Sequence, residues 1–232
     1  MRKLNIAIIP SLALPPKEAQ LVMFCDPKNY VSQYDSSNML AAAARYAKRH
    51  GVFLVPEMFS AADYLCMCIF SPEGKVIGAQ RAIHLNLDYR GVFHRDDSVS
   101  TIDTPFGKIA LIVDVDINKP QVVKSAVANG AELLLSMQYI HLFDFFEDRI
   151  SCGAVNAAQS NKVSVVSASN HGGIIINSSG KTVSGFSEDY PLKGTVNLGH
   201  TDDRYLFERG IRLLTSHEKD IDDSLKAGED IE

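Results

Sequence analysis

A layered α/β domain on mixed sheets is the fold class that this 232-residue sequence predicts. Two observations predict it. Short runs of β-branched and apolar residues alternate with longer segments of helical period, which is the pattern of an α/β domain rather than a helix bundle or an all-β sandwich. In addition, two tight-turn signatures, Pro72-Glu73-Gly74-Lys75 and Ser178-Ser179-Gly180-Lys181, each stand between strand-like runs. Antiparallel hairpins therefore accompany the helix-connected strands, and the sheets are mixed.

In chain order the strand candidates are residues 5–9, 21–24, 52–55, 65–70, 75–79, 109–113, 133–135, 163–168, 173–176 and 195–198. Residues 37–50 are rich in Ala, open at a Ser/Asn cap and stop at Gly51. Residues 121–129 stop at Gly130 in the same way, and both segments read as helices. A third helix is predicted over residues 142–160, where Phe143, Phe146, Ile150, Ala154 and Ala157 or Ala158 recur at spacings of three and four and form a stripe that packs on a sheet. No linker rich in Gly, Pro or Ser and no abrupt shift in composition interrupts the chain. One domain is expected over residues 1–210, followed by a C-terminal segment and acidic tail over 211–232.

Composition narrows the function classes. With 46% hydrophobic residues, a chain of this length buries roughly 70% of its unfolded surface and needs no staple to fold. No window approaches the ~18 to 20 uninterrupted apolar residues of a membrane span, and Met1-Arg2-Lys3-Leu4 leads into a strand-like run without a cleavage site, so a cytosolic protein is expected. A formal net charge of -5 and a pI near 5.8, with no tract dense in Lys and Arg, argue against a nucleic-acid surface. Cys25, Cys66, Cys68 and Cys152 lack the paired spacing of a zinc site and read as buried reduced thiols.

Four segments, in order, carry a more specific signal. Gln20-Leu-Val-Met-Phe-Cys-Asp26 is a strand ending in a carboxylate. Ser71-Pro-Glu-Gly-Lys-Val-Ile-Gly-Ala-Gln-Arg-Ala-Ile-His-Leu85 is a hairpin and its exit. Thr104-Pro-Phe-Gly-Lys-Ile-Ala-Leu-Ile-Val113, with Asp114-Val115-Asp116-Ile117, Pro120 and Asn129-Gly-Ala-Glu-Leu-Leu-Leu-Ser136, gives strand, turn, helix and strand. Gly173-Ile-Ile-Ile-Asn-Ser-Ser-Gly-Lys-Thr-Val183 is a late hairpin. Together they resemble the carbon-nitrogen hydrolase (nitrilase) superfamily over most of the chain. The resemblance implies a four-layer αββα sandwich of two mixed sheets, hydrolysis of carbon-nitrogen bonds other than peptide bonds, no cofactor or metal, and a homodimer or higher homo-oligomer. Family members associate through helices next to the nucleophile turn and through the carboxyl-terminal segment, which makes Phe143, Phe145, Phe146 and residues 205–214 the interface candidates here.

The departures from the family pattern bear most on function. Family members act through a Glu, a Lys and a Cys, and those positions fall here on Asp26, Ala82 and Asp114. Glu57 in Val55-Pro56-Glu57 competes for the first position, but its strand leads almost at once into the hairpin, whereas the glutamate strand should precede a helix such as 37–50; Asp26 satisfies that order. Residues 11–19 are short for the family's first helix, so one outer layer is expected to be incomplete. The family chemistry needs a thiolate, a supporting cation and a proton-carrying carboxylate. Asp114 has no thiol, and a carboxylate attacking an unactivated amide forms a mixed anhydride while expelling a poorer leaving group than itself. Ala82 offers neither charge nor donor, and the side chain of neighbouring Arg81 should alternate to the opposite face. Asp26 is one methylene shorter than Glu, about 1.5 Å, and a misplacement near 1 Å can cost about 100-fold.

A non-catalytic protein that binds an unknown small molecule or forms an assembly is therefore expected. Two other chemistries stay open: Asp26 and Asp114 as an acid/base pair on an amide or related bond, and a metal-dependent phosphoesterase, supported by fold analogy alone. Gln138, Tyr139 and His141 follow the 133–135 strand and are the candidate ligand contacts. His84 reads as structural, Asn170-His171-Gly172-Gly173 as a turn, and Arg90, His94, Arg95, Asp96 and Asp97 as a solvated charged loop.

Overall fold

The computed structural model describes residues 2–25, 36–140, 147–187 and 189–199, with residues 147–150 described by backbone alone. The expected boundary between 210 and 211 and the interface candidates Phe143, Phe145, Phe146 and 205–214 lie outside the described residues.

The first sheet contains strands β1 (Arg2–Ile9), β2 (Leu21–Phe24), β3 (Phe53–Val55), β4 (Phe59–Ala61), β5 (Tyr64–Phe70) and β6 (Val76–Arg81), closed by the last strand, β13 (Leu192–Leu198). Its order is β13-β1-β2-β3-β5-β4, with β6 also paired to β5. The second sheet contains β7 (Ile102–Thr104), β8 (Gly107–Val113), β9 (Leu133–Gln138), β10 (Ser164–Ser169), β11 (Gly172–Ile176) and β12 (Thr182–Ser187), ordered β12-β11-β10-β9-β8-β7. Both sheets are mixed: β1, β2 and β3 are mutually parallel, as are β8, β9 and β10, while the hairpins β5–β6 and β10–β11 and the pair β1–β13 are antiparallel.

Side-chain alternation builds the layers. Along β1, Leu4, Ile6 and Ile8 enter the core between the sheets, while Ala7 and Ile9 face outward. In β8, Ile109, Leu111 and Val113 turn inward, and Ala110 and Ile112 turn out. A period of two with both faces apolar is what a sheet covered on both sides requires. The outward faces receive helices. α1 (Ser37–His50) contributes Ala43, Tyr46 and Ala47 to the first sheet's outer core. Helices α2 (Pro120–Ala128) and α3 (Glu147–Asn161) contribute Val122, Val123, Ala126, Ala154, Ala157 and Ala158 to the second. The layers run helix, sheet, sheet, helix, as expected.

Where α1's layer lacks a second helix among the described residues, the 10–20 segment lies as turns and coil, with Ala13 and Ala19 packed on the outer core. Tyr46 fastens it by donating its hydroxyl to the Ala13 carbonyl at 2.6 Å. The structure adds two strands that the sequence pattern did not single out, β4 and β7, and supplies β12 as the second arm of the hairpin predicted at residues 178–181. β4 and β7 have three residues each, too few to show a period, and β12 is largely half-exposed or exposed and contains Gly185. One thiol also differs from expectation. Cys25, Cys66 and Cys68 are buried, but Cys152 is exposed because it falls off the Ala154, Ala157 and Ala158 stripe of α3.

Candidate active site

The C-terminal ends of β2 and β8 and the exit of β6 set the site. β2 leads towards α1, whereas β3, which leads to Glu57, precedes the β5–β6 hairpin. That is the strand order on which the sequence argument prefers Asp26 to Glu57. Asp26 and His141 themselves lie outside the described residues.

At the end of β8 the chain turns sharply. Asp114 adopts φ +51° and opens a short 3-10 turn, Asp114–Asn118, that feeds α2. Left-handed backbone is unfavourable for most L-residues and best tolerated, after Gly, by Asn and Asp. The Asp114 side chain is fully buried. Its Oδ1 accepts the Tyr139 N–H at 3.1 Å, and its Oδ2 makes no hydrogen bond among the described residues. Burial pushes its pKa up to about 7, against the downward pull of the N–H groups of Tyr139, Val115 and Asn86 that face the carboxyl.

Two residues on, Asp116 clamps the hairpin exit to this turn. Its carboxylate accepts the N–H groups of Ile83 at 2.8 Å and His84 at 2.9 Å and pairs with His84 Nδ1 at 2.8 Å. Burial raises its pKa, and those same bonds oppose the rise. His84 thus has the structural partner the sequence led one to expect. Ala82 lies just before the clamp, fully buried with its methyl in the core between the sheets. Its N–H donates to the Leu65 carbonyl and its carbonyl accepts the Asp96 N–H, at 2.8 and 2.9 Å. Arg81 turns the other way, its guanidinium 4.2 Å from the centre of the exposed-face Tyr64 ring. Neither residue places a cation beside Asp114.

Of the candidate ligand contacts, Tyr139 is half-buried and supplies the N–H that holds Asp114. Gln138 is buried and donates from Nε2 to Ser167 Oγ at 3.2 Å, so its amide is engaged within the sheet. The turn between β10 and β11 props the segment behind Tyr139: Asn170 bonds both the N–H and the carbonyl of Ile140, at 2.8 and 2.9 Å, and His171 Nε2 lies 3.1 Å from that carbonyl.

A cleft of about 440 Å³ opens beside these groups, lined by residues 84–88, Arg90, Arg95, Val115, Lys119 and Tyr139. Arg90 and Arg95, read from sequence as part of a solvated loop, converge here with Lys119, which the sequence reading passed over. The available signal was a lysine immediately before a helix that has no acidic residue in its first turn.

No described cysteine takes Asp114's place. Cys25 is buried at the end of β2, with its thiol donating to the Ser169 carbonyl and lying 2.8 Å from the Tyr190 hydroxyl. Ser169 ends β10, and β10 is two positions from β8 in the sheet, about 10 Å at ordinary strand spacing. Among the described residues no three His, Cys, Asp or Glu side chains are grouped to hold a metal ion.

Comparison with known proteins matches the geometry. The carbon-nitrogen hydrolase family model aligns with residues 2–199. An amidase of the nitrilase superfamily from Nesterenkonia AN1, solved as a variant, superposes with a TM-score of 0.72 at 15% identity over 93% of this chain and 97% of its own. A member of branch 10 of the nitrilase superfamily from Saccharomyces cerevisiae gives a TM-score of 0.69 at 18% identity over 84% and 90% of the two chains. A hydrolase of Schizosaccharomyces pombe is 31% identical over 124 residues, 46% of this chain but only 38% of its own length. The sandwich, the turn at Asp114 and the match over 2–199 lead to one conclusion: the chain belongs to the carbon-nitrogen hydrolase family.

Proposed function

We propose that this member of the nitrilase superfamily has lost the thiol mechanism and serves as a small-ligand-binding protein, with Asp26, Ala82 and Asp114 standing where catalytic groups act in its relatives. One observation carries the proposal: the fully buried Asp114 carboxyl occupies the strained turn after β8 with its pKa pushed up to about 7. A carboxyl held this way is a poor nucleophile towards an amide, and the buried methyl of Ala82 gives it no cation. Members of a catalytic unit fail together, so changes at all three positions leave little of the family reaction. The cleft survives, and its volume lies within the range of small-molecule sites, roughly 300 to 1,000 Å³. Oligomerisation is part of the proposal, on family grounds.

The Asp114 pKa near 7 also favours a second reading, because a group titrating near the working pH is what general acid/base catalysis requires. In that reading Asp114 activates water on an amide or related bond, with Asp26 as its partner. Turnover of a panel of aliphatic and aromatic amides and nitriles decides between the two. Ligand binding is supported by rates at background for both the natural protein and Asp114→Asn; turnover that disappears in Asp114→Asn overturns it in favour of the hydrolase.

A further inference from the structure

The cleft beside Asp114 has a charge that does not match the rest of the molecule. The chain carries a formal net charge of -5, yet Arg90, Arg95 and Lys119 line this one cleft against a single acidic side chain, Asp88. None of the three cations has an ion pair among the described residues, although Arg2, Lys108 and Lys193 elsewhere do. They come from separate positions: Arg90 after the 3-10 turn Leu87–Tyr89, Arg95 five residues on, and Lys119 at the entrance to α2.

Lys119 is the least expected of them. It occupies the N-cap of a nine-residue helix, makes no side-chain capping bond, and has no acidic residue in the first turn to offset it. The positive end of a helix disfavours a cation and favours an anion, so an anion in the cleft would suit both the helix and the lysine. Asp114 adjoins two residues of the lining, Val115 in sequence and Tyr139 through its N–H, and its buried Oδ2 has no hydrogen-bond partner among the described residues. The rim is not wholly polar: Leu87 is 77% exposed there.

We infer that this cleft binds a small organic anion, with a carboxylate or phosphate held by Arg90, Arg95 and Lys119 and the carbon skeleton lying against Leu87 and Tyr139. The inference rests on the proposal that the protein binds a ligand, and it adds the ligand's class. Guanidinium groups suit either oxyanion by bidentate hydrogen bonding, and Lys119 supplies a point charge.

Calorimetric titration of the whole chain with glutarate, with glycerol phosphate and with glutaramide, the neutral diamide matched to glutarate, tests it. Arg90→Gln, Arg95→Gln, Lys119→Gln and the triple variant accompany the natural protein, with circular dichroism to check folding. The side chains are exposed or half-exposed, so folding should be retained. The expected result is saturable binding of at least one anion, weakened about tenfold by each single change, abolished in the triple variant and reduced by added salt, with no glutaramide affinity. The stronger of the two anions identifies the headgroup. Glutaramide binding without anion binding overturns the inference and leaves a ligand-binding protein. Glutaramide turnover that Asp114→Asn removes overturns the ligand-binding proposal itself, whatever the anions do. Anion affinity that persists in the triple variant, or no binding of any of the three, also overturns the inference.

Discussion

Burial lets Asp114 keep its proton to a higher pH than a carboxyl in water does. Its folded-state pKa lies near 7 against an ordinary 3.8, because burial disfavours the charged form. The folded protein therefore binds more protons than the unfolded chain between those values, and this residue's contribution to stability is full below about pH 4 and declines as pH rises towards 7. Asp114→Asn keeps the shape and the acceptor for Tyr139 while removing the ionisation. Its stability relative to the natural protein should thus rise with pH between about 4 and 7, by an amount on the order of a few kcal/mol, and level off above. Urea denaturation of both proteins across that range checks this; a difference independent of pH would show that the carboxyl titrates normally. Asp116 differs because each carboxylate oxygen receives a backbone N–H. In Asp116→Asn the amide nitrogen faces one of those donors, and a loss of about 1 to 3 kcal/mol is expected, measured as a shift in denaturation midpoint. The hairpin exit at Ala82 and the turn at Asp114 were legible in the sequence because each sits inside a contiguous motif. The meeting of Arg90, Arg95 and Lys119 was not, because it depends on how the hairpin exit and the turn before α2 come together.

At the scale of elements, the two sheets pack closely against each other at Gly173 of β11. A Cβ on Gly173 would lie 2.6 Å from Ile8 Cδ1 in the opposite sheet and 3.1 Å from the Ser167 carbonyl oxygen. Gly173→Ala should therefore push β11 from β1 and lower stability by about 1 to 3 kcal/mol, read from thermal or urea unfolding. Gly185→Ala, with open space around its Cβ, is the control and should change stability little. Long or sharply capped elements were legible from pattern: residues 37–50 and 21–24 agree with α1 and β2 residue for residue. β4 and β7 are fixed by what they pair with, Phe59 against Cys66 and Ile102 against Ile109, and that information is absent from three-residue windows.

For the molecule as a whole, the folding determinants and the chemical determinants of the family fall on different residues. The core between the sheets draws on alternate positions of strands in both sheets and includes Ala82 and Val113. A sandwich built this way can lose its catalytic groups and keep its layers, its turn after β8 and a cleft. The fold was legible because alternation and turn chemistry recur along the chain, whereas chemistry depends on a few side chains that no periodicity records. Rates of amide hydrolysis measured from pH 5 to 8, for the natural protein and Asp114→Asn side by side, test the loss of mechanism most directly. The expected result is two superimposable profiles at background. A rate in the natural protein with a limb near pH 7, absent from Asp114→Asn, would contradict it and make Asp114 the working group of an active hydrolase.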